Sequence, residues 1–416
     1  MKTLHLTNAW HANSGGIRTF YRALLEAANG SGHQMRLIVP GEANRVEAVG
    51  RYGRIYHLRA PRAPVCPSYR ILYPQRALLP GGDVHRILRE ERPDLVEFCD
   101  KYTMNYVGGL LRVGRLPGIG FRPTVVGLSC ERMAESFRNY AGAPGAAERL
   151  ARWYLRWLYF PMADHHIAVS GYVAEELRSV SGGHKVNRGV WVGEMGVNAK
   201  VFASGRRDEG VRRRLLGDGR RLLVYAGRLA REKNIGLLFG MMRELSAEGY
   251  RLALVGSGDE RAELEREAER VAPGRVCFAG HCGDAEQLAG ILASCDAFVH
   301  PNAAEPFGIA PLEAMAAGLP LIAPHRGGVT TYAHDGNAWL SEPTAEGFAA
   351  AARAVFADCG ERERRTAAAR ETAFSRDWPV AAARYLALYR ELHARMTGAG
   401  EAALDPAFFS TRSYTE

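Results

Sequence analysis

Apolar and polar positions follow two alternating periods along this chain. In the first half, the apolar runs Thr3 to Leu6, Gln34 to Pro40, Leu95 to Cys99 and Thr124 to Leu128 are short and bounded by turn formers, which predicts strands. Between them the period lengthens. Phe20, Leu24 and Leu25 mark a helix after the first strand, Val84 to Glu91 marks another, and the segment ADHHIAVS, residues 163–170, leads into a further strand. The second half repeats the scheme. Arg221 to Ala226, Leu252 to Val255, Val276 to Gly280, Ala297 to Val299 and Pro320 to Ala323 read as strands, and helices are predicted over Ile235 to Leu245 and Pro311 to Ala317. Strands alternating with helices imply parallel sheets. Ala382, Tyr385, Leu386 and Tyr389 mark an amphipathic closing helix, after which, from about Thr397, periodicity is lost and the chain reads as loosely ordered.

Composition narrows the class. A chain of 416 residues exceeds the size at which single cores stop growing, and two domains are expected, with a boundary near residue 200 where the charged, glycine-bearing stretch Arg206 to Arg221 begins. Hydrophobic residues at 47% and charged ones at 24% are ordinary for a globular protein, and no apolar run is long enough to span a bilayer. The opening MKTLHLTNAWH is too polar after Leu6 for a secretory signal and reads as a first buried strand. Seven cysteines without a C-x-x-C pair fit a reduced cytoplasm, most of them as small core residues. The net charge of +9 is uneven: residues 1–200 hold 27 Lys/Arg against 16 Asp/Glu. Such a basic half points to a polyanionic partner, either an anionic membrane leaflet or nucleic acid, or to a merely Arg-rich composition. Nucleic acid is disfavoured by the absence of paired zinc ligands or an RNP sequence. Residues 51–76, with Arg51, Arg54, Arg59, Arg62, Arg70 and Arg76 among Tyr and Pro, read as an irregular solvated segment rather than a grip on acceptor or lipid.

The candidate chemistry concentrates in His300 to Gly328, HPNAAEPFGIAPLEAMAAGLPLIAPHRGG. Glu305 falls on the loop beyond a strand's C-terminal edge, where doubly wound sheets bind ligands. Pro311 suits the first position of the next helix, Glu313 its first turn and Gly318 its C-terminal cap. Taken singly, each glutamate is as well explained by a solvated loop or a helix macrodipole. Upstream, Arg228 and Lys233 in GRLAREKN flank a helix start, an arrangement suited to a diphosphate. Gly15 and Gly16 precede the first helix, and Gly256 in GSG ends a strand; glycine there lets backbone approach a ligand. No Asp-x-Asp motif is present, so no metal is expected to be required.

The stretch EPFGIAPLEAMAAGLPLIA resembles the glutamate-pair signature of the family 4 retaining glycosyltransferases. The resemblance implies the GT-B fold: two Rossmann-like α/β domains facing across a cleft, an acceptor domain over 1–200 joined by a closing helix over 376–396, and a nucleotide-sugar domain over 201–375. It implies Glu305 beside the donor sugar, Glu313 on the ribose hydroxyls, the Phe307, Gly308 and Ile309 backbone near sugar and phosphate, Arg228 and Lys233 on the diphosphate, and Gly15, Gly16 and Gly256 near the nucleotide. GEMGVNAKVF, residues 193–202, is similar to the family's segment leaving the first domain, with Asn198 for the usual aspartate. Where many members carry a histidine facing both substrates, this chain has Cys130, which lacks the imidazole's hydrogen-bonding pair; Glu131 is the nearest candidate to share its work. His165 and His166 are expected in the core. The stretch RWYLRWLYF, residues 152–160, is aromatic and basic enough for a membrane surface, yet the family places it inside the first domain, and burial is expected. The implied function is transfer of a hexose from a UDP- or GDP-linked sugar to a glycan or lipid-linked acceptor, with retention, without metal or other cofactor, in the cytoplasm or at the inner face of the membrane. A non-catalytic nucleotide-sugar binder, or less well a nucleic-acid binder, would share parts of this pattern.

Overall fold

Fourteen strands form among the described residues, 1–10, 15–63, 69–75, 79–141, 144–182, 189–203 and 205–398, of a computed structural model. The chain divides into two compact units, Met1–Glu194 with Pro379–Glu416, and Met195–Trp378.

The first unit is built on eight strands: β1 (Lys2–Leu6), β2 (Gln34–Gly41), β3 (Arg45–Val49), β4 (Gly53–Arg59), β5 (Leu95–Phe98), β6 (Thr124–Ser129), β7 (His165–Ala168) and β8 (Val190–Val192), in the order β3-β4-β2-β1-β5-β6-β7-β8. All pairings are parallel except β3 with β4. The central strands are buried almost throughout, as parallel strands covered on both faces must be. Helix Gly15–Ser31 covers one face by burying Phe20, Tyr21, Leu24 and Leu25.

The segment 51–76 departs from the expected solvated surface. Its first part is β4, which pairs with β2 from Met35↔Gly53 to Gly41↔Arg59 and buries Ile55, Tyr56, His57 and Leu58. Of its arginines, Arg54 pairs with the buried Glu91, which also gathers cations from β1 and β2, and Arg70 pairs with Glu42. Glu91 ion-pairs with Arg36 Nε at 2.8 Å and Lys2 Nζ at 3.0 Å, and accepts from Arg54 at 3.3 Å and Tyr56 at 2.5 Å. Burial pushes the Glu91 carboxyl up, and Tyr56, Arg36 and Lys2 outweigh it, bringing it down to about 2. Arg76 lies outside the described residues, as do the last positions of the chain from residue 399.

His165 and His166 are fully buried, His166 stacked on Phe160 with centroids 4.8 Å apart, as expected of core histidines. The stretch 152–160 is not simply buried: Leu155, Tyr159 and Phe160 are enclosed, but Trp153 and Trp157 stand half in solvent. The closing helix Trp378–Thr397 inserts Ala382, Tyr385, Leu386 and Tyr389 into the first unit. There Tyr389 donates to Glu97 Oε2, while Tyr21 and His5 reach Glu97 Oε1, each at 2.9 Å. Tyr385 donates to the Gly193 carbonyl. Glu97 is thus a buried hub satisfied from β1, the first helix and the last.

The second unit has six parallel strands: β9 (Arg221–Ala226), β10 (Tyr250–Val255), β11 (Val276–Gly280), β12 (Ala297–Val299), β13 (Leu321–Pro324) and β14 (Trp339–Ser341), in the order β11-β10-β9-β12-β13-β14. Numbered within the unit this is 3-2-1-4-5-6, the doubly wound order of nucleotide-binding sheets. Strand order reverses between β9 and β12, which pair at Ala297↔Leu223 and Phe298↔Val224. The segments following these two strands emerge side by side at the C-terminal edge.

Candidate active site

At that reversal point the loop after β12 carries His300, Asn302 and Glu305 before helix Ile309–Ala316. Asn302 shapes the turn by accepting from the Ala304 N–H at 3.0 Å and donating to Glu305 Oε2 at 3.0 Å. From the segment after β9, Lys233 Nζ donates to the same oxygen at 2.7 Å, with side chains 21% and 13% exposed. Burial pushes the Glu305 carboxyl up; Lys233, His300 and Asn302 more than offset it, bringing it down to about 2. Glu305 is therefore a firmly held anion, poor as a base and good as a fixed negative charge.

Two neighbours were not singled out by sequence reasoning. His300 is buried, its Nε2 3.9 Å from Glu305 Oε2 and without a hydrogen-bond partner among the described residues, and burial lowers its pKa to about 4. Tyr332 donates to the Gly308 carbonyl and packs its ring 5.3 Å from that of Phe307. His300 lay in the quoted stretch but carried no pattern of its own. Tyr332 had no local signal, because only the tertiary fold brings it back to the loop.

The helix beginning differs from expectation. It starts at Ile309, capped by Gly308 at φ 87° and ψ 80°, so Pro311 is the third helical residue and Glu313 the fifth. Pro311 is tolerated because the first-turn N–H groups lack intrahelical partners anyway, and φ near 87° is a conformation that glycine adopts without strain. Glu313 is hence not a partner of the helix N-terminus. Burial alone pushes its carboxyl up to about 7, and no hydrogen bond satisfies it among the described residues.

Arg228 is 48% exposed and ion-pairs with Glu232, four residues on. Lys233 ends the turn Arg231–Lys233 and is followed by Asn234 at φ 53°, which leads into helix Gly236–Glu244. Gly256 follows β10; a Cβ there would stand 1.9 Å from the Gly227 carbonyl oxygen, so the turns after β9 and β10 touch backbone to backbone. The second unit therefore brings together Arg228, Lys233, Gly256, Glu305, Phe307, Gly308, Ile309 and Glu313 at the C-terminal edge of its sheet. A cavity of about 560 Å³ lined by Arg220, Tyr250 and Phe356 opens instead by the N-terminal ends of β9 and β10.

The other expected residues belong to the first unit. Gly15 and Gly16 open the helix after β1; His11 to Ser14, preceding them, lie outside the described residues. Cys130 follows β6, with its Sγ 3.6 Å from Cys99 Sγ at the end of β5; that hydrogen bond and burial push its thiol up. Glu131 accepts from Tyr102 and Ser136, each at 3.1 Å, and Lys101 donates to its carbonyl. Among the described residues no group of three His, Cys, Asp or Glu side chains could hold a metal ion.

Two family models match the chain, "Glycosyltransferase Family 4" over residues 14–190 and "Glycosyl transferases group 1" over residues 207–372. A GDP-mannose-dependent alpha-(1-6)-phosphatidylinositol dimannoside mannosyltransferase of Mycobacterium tuberculosis is 30% identical over 402 residues, covering 93% of this chain and 95% of that one. The chain belongs to glycosyltransferase family 4. A second relative of this glycosyltransferase, a GDP-mannose-dependent alpha-mannosyltransferase of the same species, is 32% identical over 391 residues, covering 92% and 94%. Sucrose-phosphate synthase from Thermosynechococcus elongatus matches in structure with a TM-score of 0.72 at 20% identity, over 96% of this chain and 100% of that one. The fold is GT-B.

Proposed function

We propose that this glycosyltransferase moves a mannosyl group from GDP-mannose to a membrane glycolipid, with retention and without a metal ion. The observation that carries the reading is the pairing of opposite carboxylate behaviours on one loop and helix. Glu305 is locked as an anion by Lys233, while Glu313 is half-buried with no hydrogen-bond partner among the described residues. An unpartnered carboxylate is completed by hydroxyl donors such as those of a ribose, and a fixed anion stabilises a sugar ring as it becomes cation-like. Arg228 and Lys233 face the charge that builds on the departing diphosphate. A carboxyl near 2 is a weak base, which favours a front-face transfer in which the leaving phosphate takes the acceptor's proton over a covalent glycosyl-enzyme. Mannose, the guanine nucleotide and the glycolipid acceptor rest on the names of the two relatives.

The test is a panel of nucleotide sugars scored by thermal shift and donor hydrolysis, followed by transfer to glycolipid acceptors with and without EDTA. The expected result is selective response to GDP-mannose and an α-linked product that survives chelation. Selective use of a UDP-sugar, an inverted product, or loss with EDTA reversed by manganese would each remove the corresponding part. Binding without turnover would leave a nucleotide-sugar-binding protein.

A further inference from the structure

Helix Pro144–Tyr154 runs directly into a π-helical turn, Leu155–Tyr159, and a short 3-10 turn, Phe160–Met162. Ala147, Ala151, Leu155 and Tyr159, spaced by four, form its buried side. The opposite side shows Leu150, Trp153 and Trp157 at 51%, 53% and 55% exposure. Spacings of three and four put them on one face. Arg149 and Arg152 flank this stripe, are exposed, and have no acidic partner among the described residues. Arg156 lies with its guanidinium 5.4 Å from the Trp157 ring centroid. Glu148, one turn before Arg152, is the one acidic residue of Pro144–Tyr154.

The helix is also tied to the Cys130–Glu131 segment. Tyr154 donates to the Lys101 carbonyl at 2.9 Å, Lys101 donates to the Glu131 carbonyl, and the Tyr102 ring lies 6.4 Å from that of Tyr154.

We infer that the Leu150–Trp153–Trp157 stripe is the surface on which the first unit lies against an anionic lipid bilayer. The tryptophan rings sit at headgroup level and Arg149, Arg152 and Arg156 meet lipid phosphates. Indole rings favour this apolar-to-polar boundary, and unpaired arginines beside them complement an anionic surface. A second copy of the chain fits less well, because it would set three arginines against three, with one Glu148 from each side to offset them. The inference deepens the proposed function and rests on its reading of the acceptor as a membrane lipid.

The full chain is mixed with vesicles of phosphatidylcholine alone or with added phosphatidylglycerol, and partition is read by co-sedimentation. Binding is expected to the anionic vesicles, weakened by salt. In Trp153→Ser/Trp157→Ser, partition is expected to fall about a hundredfold, each ring being worth about tenfold. Arg149→Glu/Arg152→Glu, at exposed positions that keep the fold, is expected to lose the preference for phosphatidylglycerol. Equal partition by the serine variant, or no preference of the unsubstituted chain for anionic vesicles, overturns the inference. So does a dimer in solution that the serine variant dissolves. A chain that binds through the stripe yet glycosylates no lipid keeps the surface and removes the lipid-acceptor reading. A chain that glycosylates detergent-dispersed lipid but never binds vesicles does the reverse.

Discussion

Replacing Lys233 with methionine preserves most of the side-chain volume while stripping Glu305 of its strongest counter-charge. A carboxyl brought from 4.5 to about 2 represents about 3 kcal/mol of preference for the anion in the fold, shared among Lys233, His300 and Asn302. The pair is mostly but not wholly buried, so the loss in Lys233→Met is expected near 2 kcal/mol, between the values for surface and buried pairs. For a unit of this size that is a melting temperature lower by about 4–8 °C. The pH dependence carries the sharper test. In the unsubstituted chain the depressed pKa contributes stability in full above 4.5, lost only as pH falls from there through about 2. Without Lys233, burial is left to push the carboxyl up, so the variant bears the cost of a desolvated anion at pH 7 and sheds it as pH falls and the group takes a proton. The stability gap between the two proteins is therefore expected to be widest at pH 7 and to narrow towards pH 5, measured by urea denaturation at each pH. Glu305→Gln in the Lys233→Met background should close most of the gap. A gap that stays constant with pH and survives the double substitution would refute the pairing as the source of the Glu305 anion.

Glu313 predicts a different pH signature: its carboxyl near 7 must be ionised to accept two ribose hydroxyls, so donor affinity should weaken below pH 7, and Glu313→Gln should abolish that dependence in calorimetric titrations. Arg228→Ala should weaken donor binding by about 1.5–3 kcal/mol, the worth of a charge-assisted contact, while changing the melting temperature little, because its half-exposed pair with Glu232 adds little stability. Unchanged donor affinity would remove Arg228 from the diphosphate site. Gly256→Ala should destabilise the second unit by at least about 1–3 kcal/mol, since the new Cβ meets the Gly227 carbonyl at 1.9 Å and φ is 149°; an unaltered denaturation midpoint would count against that backbone contact.

The parallel α/β pattern and the glutamate stretch were legible because their signals are local. Apolar runs such as Arg221 to Ala226 and Leu252 to Val255 became β9 and β10, and the loop after β12 carried Glu305 as the spacing indicated. What escaped depended on partners distant in sequence. Strand β4 was read as solvated because Arg54 and Arg59 punctuate it, and the Glu91 carboxylate that gathers in Arg36, Arg54 and Lys2 has no sequence mark. The helix start moved from Pro311 to Ile309 because Gly308, not Pro311, sets the turn, its carbonyl held by Tyr332 twenty-four residues on. The stretch 152–160 was expected inside from the family resemblance alone, which carries no information on which face of a helix is covered: Leu155, Tyr159 and Phe160 are enclosed, while Trp153 and Trp157 stand half in solvent.

The hub at Glu97 has a consequence for how the protein is made on the ribosome. His5, Tyr21 and Glu97 are synthesised early, but Tyr389 follows only after the whole of Met195–Trp378 has been translated. At ordinary elongation rates those residues take about 10 to 40 s. Throughout that interval the nascent first unit holds a buried carboxylate oxygen awaiting its donor and an open seat for the last helix. The unit begun first is thus finished last, and a nascent chain stalled before Tyr389 should be far more open to protease than a released one.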